Sequence, residues 1–133
     1  MIDIEDDIFE LVSSAVSASF PDTLIVGKQA RIPSRFPCVS IVESDNYTIS
    51  YTQDSENNEN HSSVMYSVDV YSNKAKGSKS ECKAIMSVID DVLIHKGFAR
   101  TMKQPISMDD ATKYRITARY SAVVSKNKTI YRR

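Results

Sequence analysis

The sequence predicts an α+β domain: a mainly antiparallel β-sheet with two α-helices packed on one face and one long β-hairpin loop. Three observations carry that expectation. Two segments repeat their apolar residues at helical spacing. Several others alternate apolar and polar residues, the period of a half-buried strand. The order is helix, strands, helix, strands, which favours an α+β sheet over a doubly wound parallel one. A chain of 133 residues is expected to form one domain, residues 1–133.

Ile2 to Phe20 reads as an amphipathic helix. Ile4, Ile8, Leu11, Val12 and Ala15 make one apolar face. Asp3 can cap the first turn, the acids that follow suit the positive end of the helix dipole, and Pro21 stops the helix. Thr23 to Val26 is a short β-prone run, and Gly27 to Arg35 a polar loop or irregular arm carrying Lys28, Arg31 and Arg35. Cys38 to Glu43 is a strand with Pro37 at its start. Asn46 to Thr52 is a second β-prone run, and Ser44-Asp45 between them fits only a tight turn or a bulge.

Gln53 to Ser63 contains no apolar residue and is expected to form a long hairpin loop between strands, a linker being the alternative. Val64 to Gly97 is the unit around which the chain is organised. Val64, Tyr66, Val68 and Val70 share one strand face. Ser78 and Glu81 have capping-box spacing. Cys82, Ile85, Met86, Ile89 and Leu93 then form a helical stripe, with Gly97 placed to end it in a left-handed conformation. Phe98 to Met108 is a further strand, weakened at Pro105, and Asp109-Asp110 a turn. Lys113 to Ser125 is a long strand with Tyr114, Ile116, Ala118, Tyr120, Ala122 and Val124 on one face. Lys113, Arg115, Thr117, Arg119 and Ser121 make the other, and Thr129 to Arg133 is a short last strand or tail.

Charge is balanced overall but not along the chain. The formal net charge is zero. The first ten residues carry Asp3, Glu5, Asp6, Asp7 and Glu10 with no base, and from Ala111 onward there are only bases. Dipole chemistry and solvated strand faces are one reading. A molecule whose copies or partners meet acid to base is the other.

The residue inventory argues against an enzyme. Three glycines cannot build a phosphate-cradling loop, and no nucleophile elbow is present. His61 and His95 have no second ligand at metal spacing. Asp90 and Asp91 diverge on their helix and read as a solvated edge. Cys38 and Cys82 read as buried packing residues. The basic strand face lacks interleaved aromatics for stacking on single-stranded nucleic acid, so DNA contact is a minor expectation. No cofactor and no membrane partner is expected: no signal-type sequence opens the chain, and no apolar run approaches the ~20 residues a span needs.

Four segments together carry a family resemblance. They are Met65-Tyr66-Ser67-Val68-Asp69-Val70-Tyr71-Ser72-Asn73, Lys79-Ser80-Glu81-Cys82-Lys83, Gly97-Phe98-Ala99-Arg100 and Tyr114-Arg115-Ile116-Thr117-Ala118-Arg119-Tyr120. The chain resembles small proteins from structural-gene clusters of tailed phages and prophages of Gram-positive bacteria, within them the tail terminator, or tail-completion, group. The resemblance implies a homo-oligomeric ring, usually hexameric, that caps the finished tail tube and joins it to the head connector. The implied partners are further copies of the chain, the tail tube protein and the head–tail connector or stopper protein, with DNA in the ring lumen. The implied place is the head-proximal end of the virion tail, after synthesis in the host cytoplasm. Head–tail connector or head-completion proteins are the alternative. On this reading the acidic first helix and the basic last strands are the surfaces that meet, and the polar loops reach other partners. The contact residues to examine are Lys28, Arg31, Arg35, Asp54, Glu56, Glu59, Arg115 and Arg119.

Overall fold

The computed structural model describes residues 2–28, 33–48, 61–108 and 112–132. The elements are α1 (Glu5–Ser19), β1 (Leu24–Val26), β2 (Cys38–Thr48), β3 (His61–Ser72), α2 (Ser78–Lys96), β4 (Ala99–Ile106), β5 (Tyr114–Ser125) and β6 (Ile130–Arg132). The strands form one sheet in the order β1-β2-β3-β5-β4, and β6 also pairs with β5. Only β1 and β2 run parallel. The chain thus adopts the α+β arrangement expected, with two helices and a mainly antiparallel sheet.

Alternation decides which face meets the helices. Val64, Tyr66, Val68 and Val70 of β3 align with Ala122, Tyr120, Ala118 and Ile116 of β5. All eight are buried, together with Val39 and Ile41 of β2. Ile8, Val12 and Val16 of α1 and Cys82, Ile85, Met86, Ile89 and Leu93 of α2 complete this core. Burying the five α2 side chains contributes on the order of 10 kcal/mol before chain entropy is subtracted.

The structure corrects several local expectations. α1 begins at Glu5 rather than Ile2, although Ile2 and Ile4 stay buried. Asp3 accepts a hydrogen bond from the Glu5 N–H at 3.0 Å. The capping box at Ser78 does not form. Gly77, left-handed at φ 84°, precedes the helix, and Ser78 lies inside it. Glu81 is drawn elsewhere: its Oε1 accepts from Ser72 Oγ at 2.7 Å, tying the first turn of α2 to the end of β3. The bulge expected at Ser44-Asp45 is present between Glu43 and Asp45, and the β-prone runs on its two sides form one strand as far as Thr48, residues 49–52 lying outside the described residues. That extra residue resets the alternation, so Glu43 aligns with Tyr66 and Asn46 with Val64, on the same face. His61, Ser62 and Ser63 belong to β3 rather than to the loop, because they pair with β5 and the two serines also pair with β2. The rest of the expected loop, residues 53–60, lies outside the described residues, as does the Asp109-Asp110 turn.

The C-terminus of α2 ends as expected. Gly97 has φ 118°. Its N–H donates to the Ile94 carbonyl at 3.1 Å, and the Phe98 N–H donates to the Leu93 carbonyl at 3.0 Å. This pair of bonds is the Schellman pattern. A Cβ at Gly97 would stand 3.2 Å from Ile130 Cγ2 and 3.3 Å from the Ile130 oxygen, whereas at Gly77 it would meet nothing within 4 Å. Gly97→Ala is therefore expected to cost about 2–3 kcal/mol, and Gly77→Ala about 1 kcal/mol. Urea denaturation midpoints of the two variants check this ranking, and equal midpoints would contradict it.

Candidate functional site

The sheet face turned away from the helices carries the basic residues. Successive rows run across it: Cys38, Tyr71, Arg115 and Ile106; then Ser40, Asp69, Thr117 and Gln104; then Val42, Ser67, Arg119 and Met102. Arg115 is committed within this surface. It donates through Nε at 3.0 Å and lies with Nη2 at 2.9 Å from the same oxygen, Oδ1 of Asp69. Its guanidinium also sits 5.2 Å from the centroid of the Tyr71 ring. Asp69 and Tyr71 are buried. Burial, reinforced by the Asp69 carboxylate and opposed by Arg115, pushes the Tyr71 phenol up to about 12.

Described residues on either side of 29–32 touch one end of this face. Ser40 Oγ donates to the Lys28 carbonyl at 2.8 Å, and Lys113 Nζ lies 5.4 Å from the centroid of the Phe36 ring. Cys38 is buried there, and burial pushes its thiol up while Arg35 pulls it back. The structure therefore gathers Lys28, Arg35, Lys113 and Arg115 at one end. Arg119 lies about 14 Å further along β5 at four strand rises. Lys28, Arg35 and Arg119 are exposed. Arg31, Asp54, Glu56 and Glu59 lie outside the described residues.

On the opposite side of the sheet α1 is acidic, whereas α2 beside it exposes Lys79, Lys83 and Lys96. Asp3, Asp6, Asp7 and Glu10 are exposed at the start of the helix layer, Asp7 with Lys128 Nζ 3.7 Å from its Oδ2. Glu5 turns inward and accepts from the Glu43 N–H at 2.9 Å. Glu43 in turn accepts from Asn46 Nδ2 at 3.1 Å and from the Tyr66 hydroxyl at 3.3 Å. Burial pushes the Glu43 carboxyl above its ordinary range; the Asn46 bond opposes this and the Glu5 and Asp3 charges add to it. Asn46 also donates to the Ile2 carbonyl at 2.8 Å and accepts from Ser62 Oγ at 2.6 Å.

Sequence reasoning missed this network, whose only signal was the break at Ser44-Asp45. It also misjudged Asp90. That carboxylate is a buttress rather than a solvated edge, accepting from the Tyr120 hydroxyl at 2.8 Å and from Arg100 Nη1 at 2.9 Å. Those partners are 30 and 10 residues away, so no local spacing announces them. Cys82 lies 3.6 Å from the carbonyls of Val70 and Tyr114, and burial, with Glu81 adding, pushes its thiol up to about 12. His61 packs its ring against Tyr131 at 6.0 Å between centroids. Among the described residues no group of His, Cys, Asp and Glu is arranged to hold a metal, and no helix is long and apolar enough to cross a membrane.

No protein-family model matches the chain, and no curated protein matches it. Among solved structures it is similar to a chain of the virion of a native gene transfer agent (GTA) particle, with a TM-score of 0.63. The likeness spans 92% of this chain and 94% of that one at 12% sequence identity, so it is a likeness of fold.

Three outcomes follow from this geometry. Arg115→Ala leaves a buried carboxylate unpaired and is expected to cost about 3 kcal/mol, whereas Arg119→Ala changes stability by no more than about 0.5 kcal/mol. Thermal or urea unfolding of both variants measures the contrast. Glu43→Gln keeps an acceptor and removes the carboxylate whose folded-state pKa is raised. The raised value means that Glu43 favours folding at low pH and that this contribution is lost as pH rises through the folded pKa. The variant is thus expected to be more stable than the wild type at neutral pH, with the gap closing below about pH 4. Denaturation curves at several pH values test the sign. Finally, both thiols are expected to resist a disulfide reagent in the folded protein and to react on unfolding, which absorbance of the released thiolate would record.

Proposed function

We propose that the protein is a structural component of a phage-like virion, and within that class a tail terminator. The observation that carries this reading is the fold shared, over nearly the whole of both chains, with a chain of the GTA virion. The segments around Met65–Asn73 and Tyr114–Tyr120 support the narrower role through their resemblance to tail-completion proteins. The site chemistry is consistent with an assembly protein. Its charged groups are used for internal ties, as in Asp69–Arg115 and Asp90–Arg100, or are exposed on the surface. In this role the protein forms a ring at the head-proximal end of the tail, stops tube growth and presents a surface to the head connector. Its partners are further copies, the tube protein and the connector, and the work it does is binding rather than catalysis.

The test is removal of the protein from a particle-producing strain, followed by electron microscopy. A terminator is required for tails of defined length, so its loss is expected to leave tails of uncontrolled length and unjoined heads. Tails of normal length beside unjoined heads would instead assign the protein to head completion. Intact, normally joined particles would remove it from the assembly pathway.

A further inference from the structure

β1 covers only Cys38–Ser40 of β2. Beyond Ser40, among the described residues, β2 is met on that side by the start of the chain instead of a strand. The Glu43 N–H donates to Glu5 Oε2 at 2.9 Å, and Asn46 Nδ2 donates to the Ile2 carbonyl at 2.8 Å. Burial of Ile2 and Ile4 in the core adds to this seat. Residues 2–4 precede α1, so the segment is held by these ties and not by a helical ladder of its own.

The same fastening gathers acid. The bulge turns Glu43 to the helix side of the sheet, in line with Tyr66. Its Oε1 takes bonds from both Tyr66 and Asn46, which leaves Oε2 to carry a proton. The groups that act on this carboxyl are Asn46 from β2, Tyr66 from β3, and Glu5 and Asp3 from the start of α1 and the segment before it. The last two are acids, and no base is among the four. Asp7, a turn beyond Asp3, is met by Lys128, and Asp45 stands on the other face of the sheet. Apolar burial therefore seats the segment, while like charge loosens it.

We propose that residues 2–5 are a strap over β2, fastened when Glu43 is protonated and loosened when it is ionised, so that the start of α1 lifts more readily as the pH rises. Lifting lets the Glu5 and Glu43 carboxylates part into water. It also frees the Glu43 N–H, and with it the edge of β2 beyond Ser40. Burial raises the Glu43 carboxyl above its ordinary range in the folded protein, which sets the sign. The proton favours the closed strap at and below the ordinary glutamate range, and this preference is lost as the pH rises through the raised value. The device does not depend on the virion role.

Hydrogen exchange followed by NMR tests it. The reporters are the amide at position 43 and that of Ile8, which donates to the Ile4 carbonyl. Exchange rates divided by intrinsic rates give an opening constant at each pH. In the wild type both amides are expected to open far more readily than Ile89 in the middle of α2. Their opening constants are expected to rise several-fold between about pH 5 and about pH 8. Glu43→Gln keeps the acceptor for Tyr66 and Asn46 and is expected to abolish the rise. Reporters as protected as Ile89, opening constants that stay level with pH, or a rise that persists in the folded variant would each overturn the strap. Where the variant does not fold, the wild type decides alone. The Glu43 carboxyl carbon is expected to titrate over the pH range in which the opening constants change, and titration in a separate range would also overturn it.

Discussion

The pairing of β3 with β5 is the constraint on which the remaining structure depends. Twelve residues of each strand align without a bulge, from His61 with Ser125 to Ser72 with Tyr114. β5 then uses its other side twice, for β4 as far as Ser121 and for β6 at Ala122–Val124. Because side chains alternate, a slip of one residue would turn Tyr120, Ala118 and Ile116 to the open face and bring Arg119 and Arg115 under the helices. The apolar side of this pair thus gives the helices their floor, and the polar side fixes where the cations stand.

Polar ties then hold the helices to that floor. Glu81 joins the start of α2 to Ser72, and Asp90 joins its middle to Tyr120 and Arg100. Glu5 joins the start of α1 to β2, and Asn46 joins the segment before it at Ile2. Buried hydroxyls such as those of Tyr66 and Tyr120 would be costly without acceptors, and both have carboxylate partners. Each bond contributes little on its own, yet together they select one seating of each helix among the many that apolar contact would tolerate.

Much of this fold was legible in the sequence because periodicity depends on burial, and burial is what separates the two faces. The α2 stripe from Cys82 to Leu93 and the alternation of Tyr114 to Val124 both lie where their spacing placed them. What escaped was set by partners distant in the chain. Ser62 and Ser63 have no apolar character, yet two neighbouring strands draw them into the sheet. Glu81 had the spacing of a cap and was taken by Ser72 instead. The candidate surface was half legible. The face of Arg115 and Arg119 followed from alternation, whereas the pairing of Arg115 with Asp69, 46 residues earlier, did not.

The Asp69–Arg115 pair has a consequence for how such a protein can change over time. With one arginine held by a buried carboxylate and stacked on Tyr71, the sheet beneath the basic face keeps its own stability. The exposed charges above it, at Lys28, Arg35 and Arg119, rest on little that the fold requires. The outer charges can drift while the core and its pairing stay as they are, which leaves room for chains of very low identity to share this architecture.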